Sequence, residues 1–342
     1  FGVTLDTSGA QEDFTVYDHP VILIFKKSPT FSDRQVASLL NAVPLDRVEK
    51  VKPVEASSRH GLMLSPAEWL RLAQSSTWSE RFALSGIAAN LAVPIWLLVV
   101  EALALAALPL CWWLFPALPD RGYGLAKLLG LVLVTYLTWL LASVTPLPNG
   151  PGLAASSLVA LAVIGLVVVR RQGRPLLDDL RERRRVLLAV ELLFLGAFGL
   201  MLGIRALNPD LWHPTFGGEK PMDFAYFNAA VKTPFFPPYD PWFAGGYLNY
   251  YYYGFVLMGT LTNLSHVPPA QAYNLAIATI FALTATSAFA FGLALTSGAR
   301  PFGPTRSPNW PIVAGLISAV SLCLLGNLDG LAQLVEARSK LV

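Results

Sequence analysis

Asp223 and Glu219 are the carboxylates whose surroundings best suit chemistry. Asp223, Tyr226 and Phe227 share the i, i+3, i+4 spacing of one helical face, and Pro221 suits the first turn of that helix. A carboxyl group in the first turn of a short helix at a membrane surface, among aromatic rings, loses water and has its pKa raised. A general base needs that environment to take a proton from a hydroxyl as the hydroxyl attacks an activated carbon. Glu219, four residues earlier, is the competing base, or a second oxygen ligand for a divalent metal such as Mg or Mn. The alternative for both is a pair of solvated loop acids.

The residues around them describe a loop that holds a shape. Pro234, Pro237 and Pro238 stiffen an extended segment, Tyr239-Asp240-Pro241-Trp242 makes a turn, and Gly245-Gly246 permits close backbone approach. Lys220, Tyr226, Asp240, Trp242, Asn249, Tyr250 and Tyr251 are the candidate substrate-binding residues. A phosphate leaving group would need positive charge, which Lys220, Lys232 or Arg205 can supply. Tyr250 to Tyr253 run into the next apolar segment and, as four consecutive helical residues, would point all round it. They read as an aromatic belt at the interface, or as one or two hydroxyls lining a cavity.

This loop lies between apolar segments long enough to cross a bilayer. With 54% hydrophobic and 14% charged residues over 342 positions, the chain is far from a soluble domain, where about a quarter of residues are charged. The expected fold is mainly α, a polytopic transmembrane bundle of about seven spans at 86–115, 122–143, 153–169, 186–205, 248–266, 271–297 and 311–327. Glu101 lies within the first span and Glu191 near the start of the fourth. Pairing inside the bundle is the favoured reading for Glu101, ahead of transport chemistry, and Glu191 reads as interfacial.

Residues 1–83 differ, with nine Lys or Arg against ten Asp or Glu. They read as a small water-facing α/β piece, with strand, turn and strand over Phe14 to Lys27 and helices beginning at Ser32 and Ser65. Gln35 and Glu68 stand in capping-box spacing, and Pro66 fits the first position of the second helix. The face of Trp69, Leu70, Leu72 and Ala73, with Trp78 further on, lies along the membrane surface or packs on the small piece. The expected division is this piece at 1–83, three spans and a basic loop at 84–185, and a second membrane module at 186–342 with its outer loop at 206–247.

Seven Arg between Arg170 and Arg185 outweigh Asp178, Asp179 and Glu182, so that loop is expected in the cytoplasm of a multi-pass cell-membrane protein. Alternation then puts residues 1–83, 144–152 and 206–247 outside. It also puts Asn263-Leu264-Ser265 at the cytoplasmic end of the fifth span, and so makes its glycosylation-like spacing meaningless. The loop 298–310 conflicts, because alternation places it outside although it carries Arg300 and Arg306. The net charge of +3 and the clustering of Arg beside apolar runs exclude a nucleic-acid footprint. Cys111 and Cys323, far apart within apolar runs, read as buried hydrophobes rather than a disulfide or metal site. The opening on Phe1 and the stop soon after an apolar helix suggest a piece of a longer protein.

The motifs GGEKPMDFAYFNA, PPYDPWFAGG and NYYYYGF, followed by Gly326-Asn327-Leu328-Asp329-Gly330, resemble the YYY family of hydrophobic membrane proteins over residues 185–330. That family is similar to the C-type membrane glycosyltransferases, the class of the protein mannosyltransferases. The resemblance implies a polyprenyl-phosphate-linked sugar as donor and a loop carboxylate at the position of Asp223, with Glu219 competing, although the doublet of adjacent acids typical of the mannosyltransferases is absent. Residues 12–27 look like the tail of a preceding glycosyltransferase-like module in the same chain. The resulting expectation is a membrane glycosyltransferase acting on an extracytoplasmic acceptor hydroxyl. A transporter or flippase of lipid-linked intermediates and a non-catalytic membrane scaffold are the alternatives.

Overall fold

A computed structural model describes residues 31–42, 63–75, 78–172, 176–209, 211, 219–243, 245–297 and 309–325. The chain divides into two compact units, Phe1–Met63 with Asp210–Asp223, and Leu64–Pro209 with Phe224–Val342. The predicted strands at 14–27 and the Gly326–Gly330 motif lie outside the described residues. In the first unit, helix α1 (Asp33–Asn41) starts where the sequence predicts, and the Ser32 hydroxyl accepts from the Gln35 amide.

In the second unit, the predicted capping box opens α2 (Pro66–Ala73). The Ser65 side chain accepts from the Glu68 amide, and the Glu68 carboxylate accepts from the Ser65 amide at 2.8 Å. Two short helices follow, α3 (Trp78–Arg81) and α4 (Ile87–Asn90). Four helices of spanning length come next: α5 (Ala92–Leu114), α6 (Tyr123–Val144), α7 (Pro151–Gln172) and α9 (Arg184–Leu207), with α8 (Leu176–Glu182) between the last two. Helix α10 (Lys220–Lys232) begins in the first unit and ends in the second. After it come α11 (Tyr253–Ser265), a fifth spanning helix α12 (Pro269–Ser297), and α13 (Trp310–Cys323). No strand occurs among the described residues; one isolated bridge pairs Tyr239 with Tyr247.

Among the described residues, five helices are therefore long and apolar enough to cross a membrane, against the seven expected of the chain. Helix α12 is the most enclosed and packs against α9, α13 and α6. Small residues along it, among them Ala278, Ala282 and Ala285, are buried and let neighbouring backbones come close. Helices α5 and α6 approach so closely at Gly130 that a β-carbon there would meet the Leu103 carbonyl oxygen at 2.2 Å. Only glycine fits.

Hydrogen bonds sort the connections of the second unit into two ends. At one, the loop end, the Asn149 amide donates to the Pro234 carbonyl at 3.1 Å, and the Asn149 side chain donates to Ala230 and Thr233 carbonyls. Arg71 also donates to the Pro234 carbonyl. At the other, the arginine end, Arg183 donates to the Pro119 carbonyl, Arg121 pairs with Asp179 at 3.4 Å, and the Trp112 indole donates to the same carboxylate. Asp120 accepts from the Gly122 and Gly124 amides and so caps α6 there.

The fifth predicted span is corrected by this arrangement. Residues 248–252 stay outside the helix, so α11 has 13 residues, about 20 Å, too short for a hydrocarbon core of about 30 Å. Both of its ends lie at the loop end: Tyr252 meets Trp139 and Phe236 at its start, and Arg81 reaches Asn263 at its finish. Helix α11 does not cross. Helix α12 therefore starts at the loop end, where Asn274 accepts from Arg205, and runs to the arginine end, where Ala290 lies beside Gly124.

Candidate functional site

Asp223 occupies the first turn of α10, and its amide donates to the Glu219 carbonyl at 2.9 Å. The helix forms as the sequence predicts, with Pro221 inside its first turn. Asp223 is half-buried while Glu219 is exposed. Burial, and then the neighbouring negative charge of Glu219, raise the Asp223 carboxyl above its ordinary value of 3.8. Asp223 is thus the more buried of the two acids. Lys220 is half-buried at the first position of the same helix.

The aromatic candidates in the second unit come together in part. The buried Tyr226 ring lies 5.7 Å from Tyr250 and 6.0 Å from Phe255, and Tyr250 meets Tyr251 edge-on at 5.0 Å. Tyr250 and Tyr251 are exposed and precede α11, so the tyrosine run does not wind round a helix as expected. Asn249 is exposed beside them. Asp240 is engaged in its own turn, one carboxylate oxygen accepting from the amides of Trp242 and Phe243 at 2.8 and 3.1 Å. That turn leaves the Trp242 ring exposed.

Three residues fix this region: Arg81 and Asn149, which the sequence reading passed over, and Glu68, which it read as a helix cap alone. Arg81 donates to the Val231 and Lys232 carbonyls at 3.0 and 3.1 Å, which caps the negative end of α10 with a cation. Asn149 holds the turn that follows it. Glu68 ties the 239–247 turn to α2: burial opposes its charge, but hydrogen bonds from Ser65 and Tyr247 outweigh that and hold it below its ordinary value. Tyr247 is pushed up correspondingly, first by burial and then by Glu68.

Within the spans a second cluster forms. Lys127 of α6 pairs with Glu101 of α5 at 3.0 Å and with Glu191 of α9, and the Tyr123 hydroxyl donates to the same Glu191 oxygen at 2.7 Å. The expected pairing of Glu101 inside the bundle is present, and its partner is a lysine within an apolar run. Among the described residues, no group of three or more His, Cys, Asp or Glu comes together that could hold a metal ion.

A family model matches residues 133–341, which take in α10, the turn, the tyrosine run and most of the bundle. The chain belongs to that family, described as uncharacterized membrane protein (DUF2298). No curated protein and no solved structure matches it. The DUF2298 region contains the whole stretch 185–330 on which the tyrosine-run resemblance rests. It also contains both candidate carboxylates and Glu191, while Glu101 and Lys127 precede it.

Proposed function

We propose that the chain is part of a membrane glycosyltransferase that moves a sugar from a polyprenyl-phosphate-linked donor to an acceptor hydroxyl on the extracytoplasmic side. The observation that carries this reading is Asp223: a half-buried carboxyl in the first turn of a helix outside the spans, its pKa raised by burial and by Glu219. The likeness of the surrounding motifs to the C-type membrane glycosyltransferases points the same way.

In this reading Asp223 accepts the acceptor's hydroxyl proton as that oxygen attacks the anomeric carbon. The bond from that carbon to the phosphate oxygen breaks, and polyprenyl phosphate leaves with the electron pair, so configuration inverts. Glu219 tunes Asp223 and Lys220 supplies positive charge, while in the second unit the exposed rings of Tyr250, Tyr251 and Trp242 suit a sugar face. The positive-inside rule puts the arginine end in the cytoplasm and the loop end outside. Residues 1–83 and 206–247 then lie on the side where the acceptor arrives.

The test is sugar transfer from a polyprenyl-phosphate donor pool by the full-length protein in membranes. Asp223→Asn should abolish transfer at matched expression while donor binding persists. Full transfer by that variant would sink the assignment.

One observation favours a second reading, a transporter or flippase of lipid-linked intermediates. The Glu101–Lys127–Glu191 cluster lies within the spans, where ionisable groups often mark a pathway. Loss of lipid translocation in Glu101→Gln, with sugar transfer unchanged, would support it.

A further inference from the structure

A cavity of about 790 Å³ opens at the loop end of the second unit, within the range of about 300–1,000 Å³ usual for ligand pockets. Its polar wall carries Arg81, Lys232 and His266 against one carboxylate, Glu80. The start of the 22-residue helix α7 at Gly150, Pro151 and Gly152 lines it as well. The Arg81 guanidinium stands 3.3 Å from where a Gly150 side chain would begin, so a cation is held beside the positive end of a helix dipole. Gly152 and Leu153 are first-turn positions whose amides have no carbonyl partner inside the helix. The space around Gly152 is open.

The lining also carries apolar side chains, among them Leu141 from the last turn of α6 and Leu153 from the first turn of α7. Both belong to helices of spanning length and lie within a turn of their ends, where such a helix leaves the hydrocarbon layer. Cations and apolar side chains in one cavity at such helix ends match an amphiphile with an anionic head. Free phosphate would use the cations alone.

We infer that this cavity holds the phosphate headgroup of a lipid, with Arg81, Lys232 and the first turn of α7 around the phosphate and Leu141 and Leu153 beside the first carbons of its chain. Arg81 has a structural duty as well, since it caps α10, and Lys232 lies 5.7 Å from the Trp78 ring centre. The positive charge is thereby fixed in place before any ligand arrives. Lys232 follows Asp223 by nine residues, about 13 Å of helix, so this lipid site lies apart from the place where Asp223 would act and goes beyond that reading. Binding is measured without turnover, so the two can fail separately.

The experiment measures binding of a radiolabelled polyprenyl phosphate to the purified full chain in detergent, with competition by the unlabelled lipid phosphate, by the polyprenol and by inorganic phosphate. The lipid phosphate should compete at least about tenfold better than either of the others. Lys232→Gln and Gly152→Glu should each weaken binding about tenfold. Gly152→Glu places a carboxylate in the open space at the start of α7, where the helix dipole favours it, so its unfolding temperature should hold or rise while binding falls. Unchanged binding in both variants, or equal competition by the polyprenol, would overturn the inference. Inorganic phosphate competing as well as the lipid would overturn the lipid assignment in favour of a free anion. Intact binding without sugar transfer would leave this site standing and remove the transferase reading.

Discussion

Arg81 of α3 reaches to within 3.5 Å of the side-chain oxygen of Asn263 in the last turn of α11. The same guanidinium holds the carbonyls that end α10, so the close of α11 and the close of α10 share one end of the bundle. One crossing fewer than the apolar runs suggest reverses the sense of everything after it. Helix α12 then ends at the arginine end, so alternation counted from there no longer predicts the outside for 298–310. The conflict that alternation of seven spans creates disappears.

Cysteine labelling in membranes tests this parity. With Cys111 and Cys323 replaced, cysteines at Leu147 and His266 should react with an impermeant reagent from the same side, and a cysteine at Ser297 from the side that labels Arg171→Cys. Labelling of positions 147 and 266 from opposite sides would show that α11 crosses after all. Asn263 itself is 1% exposed, so burial, whatever its side, keeps its glycosylation-like spacing from being used.

The ion cluster in the spans should behave as a unit. Removing Lys127 leaves two carboxylates facing each other out of water, and breaking such a pair costs about 3–5 kcal/mol. Lys127→Met should therefore lower the unfolding temperature in detergent sharply. Adding Glu101→Gln and Glu191→Gln should recover most of the loss, because no uncompensated charge then stays buried. Equal instability of the single and triple variants would show that Lys127 acts through packing alone.

Gly130 sets the spacing of α5 and α6. Any side chain there must displace the Leu103 backbone, and overpacking of this kind costs about 1–3 kcal/mol. Gly130→Val should destabilise the protein well beyond Gly196→Val on α9, whose surroundings are open. Similar unfolding temperatures for the two would contradict the close packing.

What the sequence reveals here follows from range. The starts of α1 and α2 are legible because Ser32 and Ser65 are capped by residues three positions away. The five spanning helices are legible because apolar length suffices. Helix α11 is not, since its start at Tyr252 stacks on Phe236 and its middle packs where Gly259 lies near Val231. Lys127 is hidden in the same way: one lysine does not disturb an apolar run, and its partners Glu101 and Glu191 come from other helices. At the candidate site, Asp223 on the first turn of a helix is readable from Pro221 and the aromatic spacing. The engagement of Asp240 in its own turn is local chemistry that the Asp-Pro pair signals as a turn without saying which groups it binds.

The acid side of the pH profile tests the central claim most directly. A carboxylate base works deprotonated, so kcat/KM should fall as pH drops through the Asp223 pKa, which burial and Glu219 hold above 3.8. Removing the Glu219 charge lowers that pKa, while burial keeps it from falling all the way. The measurement is kcat/KM for sugar transfer against pH in wild-type and Glu219→Gln membranes. Asp223 as the base predicts an acid limb that moves to lower pH in Glu219→Gln. A limb that stays in place would contradict it.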